Sequence, residues 1–86
     1  MIIKLHRNFQ KIYRKLPISL QKAVDHKMAL FYQEPFSPML NNHQLKGKYQ
    51  NYRSINITGD YRAVYKTVSD KEVIFTKLGT HSQLYK

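Results

Sequence analysis

The 86-residue sequence predicts an α+β domain: a short N-terminal strand, an antiparallel helical hairpin, then a three-stranded antiparallel meander forming a small twisted sheet. Two observations carry this. Apolar residues recur twice at helical spacing in the first 35 positions. After residue 40 the texture changes to short runs rich in β-branched and aromatic residues, separated by tight-turn sequences. No repeat, low-complexity segment or linker breaks the chain, so residues 1–86 are expected to form a single domain.

The elements follow in order. "MIIKL" is a short apolar stretch ahead of any helical pattern and reads as an edge strand. "HRNFQKIYRKL" places Phe9, Ile12, Tyr13 and Leu16 on one helical face and leaves Arg7, Lys11, Arg14 and Lys15 to solvent. Pro17 stops this helix, because it lacks an N–H and disfavours helical geometry in the residue before it. Ser19 is the expected cap of the next helix. Leu20, Ala23, Val24, Met28 and Phe31 form its stripe, and it ends before Pro35 and Pro38. His6 and His26 fall in helical segments and read as surface residues.

"NNHQLKGKYQN" is polar and turn-rich. "YRSINIT", "YRAVYKTV" and "EVIFTKLG" then read as strands, joined at "TGD" (58–60) and "SDK" (69–71). Alternation assigns their faces. Ile55 and Ile57 point to the helices, with Tyr52, Ser54 and Asn56 on the outer face. In the last strand, Ile74 and Leu78 share one face, opposite Val73, Phe75 and Lys77. Arg62 lies on the side of Val64, and parity alone does not say which side that is. Gly79 is expected to let the last strand turn.

The formal net charge is +10, from 15 Lys+Arg against five Asp+Glu. The excess is even: residues 1–42 hold seven basic and two acidic side chains, and residues 43–86 hold eight and three. An evenly basic folded domain suits phosphate; a solvated basic face or an acidic protein partner is the other reading. The absence of cysteine removes disulfides, thiolate nucleophiles and zinc–sulfur sites. Five acidic residues disfavour a two-metal site, so no metal or cofactor is expected. No apolar run resembles a signal sequence or membrane span, so a cytoplasmic protein with no membrane partner is expected.

The reactive residues of the second half are His43, Asp60, Arg62, Lys77, His81 and Tyr85. A compact meander can gather them on one sheet surface. Lys and Arg neutralise phosphate, His or Asp moves a proton, and Tyr stacks on an unpaired base. RNA supplies its own nucleophile, the 2′-OH. Each residue also has a plainer reading. His43 and Asp60 sit in turn-like segments that favour them for backbone reasons. Arg62 and Lys77 are readable as solvated strand charges, and Tyr85 as an anchor for the tail.

Together, "HQLKGKYQNYRSINITGDYRAVYK" and "LGTHSQLY" resemble the YafQ-like branch of the RelE/ParE superfamily of bacterial type II toxins. The resemblance covers residues 43–86, with a loop-length adjustment near 68–72; the first half agrees in architecture. It implies a RelE-like fold and a ribosome-dependent mRNA endonuclease that enters the A site and cuts by 2′-OH attack on the adjacent phosphate. It implies His81 as general acid, His43 and Asp60 as candidate bases, and Lys77 and Arg62 as phosphate-stabilising cations. Tyr85 would stack or orient a base, and Tyr61, Asn56, Lys46, Lys48 and Arg53 would contact RNA. A cognate antitoxin is the implied protein partner, in a hetero-oligomer. Asn56 stands where some members carry a third His, Tyr61 where some carry Trp, and Lys77 where Arg is usual. The competing readings are a ParE-like gyrase inhibitor that cuts no RNA, and a catalytically decayed domain that still binds RNA or antitoxin.

Overall fold

The computed structural model describes residues 1–85. Strand β1 (Ile2–Leu5) leads into helices α1 (Arg7–Lys15) and α2 (Ile18–Gln33). Strands β2 (His43–Gln44), β3 (Tyr52–Thr58), β4 (Tyr61–Ser69) and β5 (Glu72–Thr80) follow, and helix α3 (His81–Leu84) ends the described chain. Strands β3, β4 and β5 form the expected antiparallel meander. The sheet is larger than the meander, with strand order β1-β5-β4-β3-β2. Strand β1 runs parallel to β5, with Ile2 opposite Glu72 and Leu5 opposite Phe75. It is the edge strand that the sequence suggested.

His6 caps helix α1 at its N-terminus, its Nδ1 accepting the Asn8 N–H at 3.1 Å. The helix carries Arg14 and Lys15 in its last turn, where the helix dipole favours cations. Helix α2 corrects the expected cap. Its N-cap position is Pro17, with no side-chain capping bond, and Ser19 falls inside the first turn. Pro17 has φ −56° and ψ 153°, so one residue both ends α1 and admits α2.

The helices cover one sheet face. Phe9, Val24 and Phe31 pack with Ile55, Ile57, Ala63, Tyr65, Phe75 and Leu78 in a single core. The Phe31 ring lies edge-on to Tyr65 at 4.9 Å and to Phe75 at 5.1 Å. A β-bulge corrects the face assignment of β5. Val64 pairs with Lys77 and Tyr65 with Phe75, which leaves Thr76 as an extra residue. The extra residue resets alternation. Phe75 and Leu78 therefore both face the helices, at 0% and 2% exposure, and Ile74 faces away. Lys77 is returned to the face opposite the helices, called the open face below.

Gly79 also differs from expectation. Its backbone is not left-handed, and a Cβ there would stand 3.0 Å from Gln83 Oε1. The missing side chain makes room for α3 to fold back on β5. That helix is held by a capping box: Thr80 Oγ1 accepts the Gln83 N–H at 3.2 Å, and Gln83 Oε1 accepts the Thr80 N–H at 2.8 Å. Among the described residues no helix is long and apolar enough to cross a membrane.

Candidate functional site

Register builds the floor of the open face. His43 pairs with Ser54, Ser54 with Val64, and Val64 with Lys77, giving one row across four strands. The next row runs Asn56–Arg62–Gly79. Two segments rise above this floor. One is the loop after β2, closed by the Leu45 N–H donating to the Tyr52 carbonyl at 2.9 Å. It turns at Gly47, whose φ of +66° suits a residue without a side chain. The other is α3, tied to the β3–β4 turn by the His81 N–H donating to the Asp60 carbonyl at 3.1 Å.

Between them lies a cavity of about 520 Å³. His43, Arg62, His81, Tyr85, Lys46 and Lys48 all line it, together with Asn41, Leu45, Tyr49 and Ser54. His43 Nδ1 lies 2.8 Å from the Asn41 carbonyl. A carbonyl only accepts, so Nδ1 carries the proton in the neutral ring and Nε2 keeps the free lone pair. Arg62 is steadied by its own turn, with Nη1 donating to the Gly59 carbonyl at 2.8 Å and the Tyr61 carbonyl at 3.1 Å. The His81 ring packs against Tyr85 at 4.7 Å, and Tyr85 against Tyr49 at 6.0 Å.

The remaining sequence candidates are spread more widely. Asp60 is exposed in the β3–β4 turn and does not line the cavity; it meets the site through its carbonyl. Lys77 stands beside the cavity and reaches its rim through Tyr49, its Nζ donating to Tyr49 Oη at 3.1 Å. Asn56 lies on the open face in the row beyond Ser54, outside the cavity. Tyr61 and Arg53 are elsewhere. Tyr61 packs against the core and lines a groove with Lys11 and Lys15. Arg53 shares the helix-side parity of Ile55; its Nε donates to Asn42 Oδ1 at 2.8 Å and its guanidinium lies 5.2 Å from the Phe36 ring.

Asn41, Leu45, Tyr49 and Ser54 line the cavity without having been candidates in the sequence. The signal for Tyr49 was an aromatic residue directly after Lys46 and Lys48, in a segment read as a polar turn. The Lys77 hydrogen bond holds its phenol below the usual tyrosine value; burial opposes this, and the charges of Lys77 and Lys48 add to it. Ser54 is fully buried on the cavity floor. Its Oγ, Asn56 Oδ1 and Tyr85 Oη are the buried side-chain polar atoms without a partner among the described residues. Unpaired buried polar atoms are costly and uncommon, and all three belong to this side of the sheet.

A slightly larger groove, about 590 Å³, lies between β1, α1 and α2. Its lining is largely apolar, and its acid, Asp25, is engaged by Tyr13 Oη at 2.7 Å. It lacks the imidazoles and the density of cations that the open face brings together. No cluster of three or more His, Asp or Glu suited to a metal ion occurs among the described residues. The open-face cavity thus offers two imidazoles for proton transfer, cations for an anion, and tyrosine rings for a flat group.

Known proteins share both the sequence pattern and the fold. The family model described as the bacterial toxin of type II toxin–antitoxin system, YafQ, matches residues 1–86. A copper-bound mutant toxin from Helicobacter pylori is 32% identical, with a TM-score of 0.69 over 99% of this chain and 99% of its own. YafQ from E. coli is 22% identical, with a TM-score of 0.76 over 98% of this chain and 97% of its own. A chain of the E. coli DinJ–YafQ complex gives 22% identity and a TM-score of 0.68, over 98% and 97% of the two chains. Comparison with curated protein sequences gives no match.

Proposed function

The chain belongs to the YafQ family of bacterial type II toxin–antitoxin toxins, and from this premise we propose that it is an endoribonuclease that cuts mRNA on the ribosome. The observation that carries the reading is the pair His43 and His81 lining one cavity with Arg62, Lys46 and Lys48. Two proton-transfer groups lining one cationic cavity suit phosphoryl transfer within RNA.

In this reading the ribosome presents a stretched codon. His43 Nε2 takes the 2′-OH proton. The 2′-oxygen attacks the adjacent phosphorus, and Arg62 and Lys77 hold the charge that builds on the phosphate oxygens. The P–O5′ bond breaks as imidazolium His81 protonates the leaving oxygen. The products are a 2′,3′-cyclic phosphate and a 5′-hydroxyl end. Tyr85 stacks on or orients a base beside His81. Asp60 is assigned a positioning role, because its carbonyl holds the His81 backbone. Most of the rate enhancement would come from orientation and fixed charge.

The inhibitor in this reading is an antitoxin with an acidic segment, which would meet a surface of net charge +10. The DinJ–YafQ complex is the corresponding assembly in a relative.

Primer extension on an mRNA translated in a reconstituted system tests the reading, with wild type and His81→Ala. Cuts that need ribosomes, fall in register with codons and vanish in the variant are expected. Intact mRNA with the wild type would overturn the nuclease reading and turn attention to gyrase inhibition.

A further inference from the structure

We infer that Tyr49 is a positioning residue of this site: its phenol oxygen holds the Lys77 ammonium at the cavity rim, where it meets the phosphate of a bound RNA strand. The inference deepens the endoribonuclease reading and rests on it.

Lys77 is the one proposed phosphate ligand that does not line the cavity. The residue also borders the neighbouring groove, with Asn8, Lys11 and Lys15. What draws its charge toward the cavity is Tyr49, which does line it. Lys77 Nζ donates to Tyr49 Oη at 3.1 Å and lies 4.6 Å from the ring centroid, so the ammonium meets both the oxygen and the π face. Lysine needs such a partner more than arginine does. Its charge is compact and rides on a flexible four-carbon stem, without the planar fork that orients a guanidinium. One N–H given to Tyr49 leaves two for phosphate oxygens.

Tyr49 is itself fixed. Its ring meets Tyr85 edge-on at 6.0 Å and Tyr52 edge-on at 6.2 Å. Its loop is pinned by the Leu45–Tyr52 backbone bond and the left-handed Gly47. Two ring contacts and a pinned loop hold the phenol, whereas the ammonium rides on a flexible stem. The cations that lower the phenol pKa also make its O–H a stronger donor to a phosphate oxygen.

The test is a double-mutant cycle read in single-turnover cleavage of ribosome-bound mRNA. Tyr49→Phe keeps the ring and removes the oxygen. It should lower the cleavage rate on the order of tenfold, with KM and thermal midpoint little changed. In a Lys77→Arg background, whose guanidinium orients itself, the same change should cost less than about threefold. Equal losses in both backgrounds, or no loss from Tyr49→Phe where the wild type cuts, would overturn the inference. Nitrogen-15 spectra of the lysine ammonium groups give a readout free of activity. The Lys77 Nζ signal should be slowed in exchange in the wild type and lost in Tyr49→Phe; an unchanged signal would overturn the contact itself. If the wild type cuts nothing, the nuclease reading falls, and the ammonium signal still decides whether Tyr49 holds Lys77.

Discussion

The backbone N–H of His81 donates to the carbonyl of Asp60 across 3.1 Å, so the β3–β4 turn fixes the start of α3. Any residue at position 60 supplies that carbonyl. Asp60→Ala should therefore retain cleavage within about fivefold of wild type, whereas His81→Ala should lose on the order of 10²–10⁴-fold. Single-turnover rates on programmed ribosomes make the comparison. A loss from Asp60→Ala as large as that from His81→Ala would return the carboxylate to the chemistry.

Arg53 gives the opposite contrast to His43. Its guanidinium is spent on Asn42 and Phe36, away from the cavity. Arg53→Ala should leave the cleavage rate within about twofold and cost about 1 kcal/mol of stability, read by urea unfolding. His43→Ala should do the reverse, with a rate loss of about 10²-fold or more and little change in midpoint.

Gly79→Ala tests the close approach of α3. The new methyl would press on Gln83 Oε1 and loosen the capping box. Destabilisation of about 1 kcal/mol is expected, the usual size of a lost cap. The His81 amide should exchange faster with solvent, and cleavage should fall with it. Unchanged exchange at His81 would show that α3 keeps its place without the box.

Tyr49 and Tyr13 are pushed in opposite directions. The Lys77 bond lowers the Tyr49 phenol, and the Asp25 carboxylate, chiefly through its hydrogen bond, raises Tyr13. Carbon-13 labelling of the tyrosine Cζ atoms should show Tyr49 ionising below the normal tyrosine value and Tyr13 above it. The stability consequences also oppose. The Tyr13–Asp25 bond contributes fully below the unfolded tyrosine pKa and is lost as pH rises through the raised folded value. The lowered Tyr49 favours the fold above the unfolded value, and that contribution fades as pH falls through the folded one. Tyr13→Phe should therefore flatten the loss of stability on the alkaline side.

Deleting Thr76 is the harshest test of the sheet. Without the extra residue, alternation would carry either Phe75 out of the core or Lys77 into it. Neither register is tolerable beside Phe31 and Tyr65. No cooperative thermal transition is expected, while Thr76→Ala should keep one.

These tests mark where the sequence was readable. The helical stripes through Phe9 and Phe31 and the alternation around Ile55 each repeat over several residues, and repetition is what pattern reading detects. Strand β2 is two polar residues long and repeats nothing; only its pairing with Ser54 and Arg53 makes it a strand. The bulge at Thr76 is a single insertion seen only against a partner strand. The cavity was legible as a set of chemical types, His43, Arg62, His81 and Tyr85. It was not legible as a boundary, because the loop after β2 decides that Tyr49 enters and the parity of β3 turns Arg53 away.

The parallel pairing of β1 with β5 bears on how the protein is made. Strand β1 is synthesised first, yet Ile2 has no sheet partner until Glu72 has been added. Nearly the whole sequence must emerge before the sheet closes, and contacts of such long range form slowly. The cavity walls come from both sides of that wait, His43 before it and His81 after it. A nascent chain therefore carries no assembled open-face cavity until its last strand is in place.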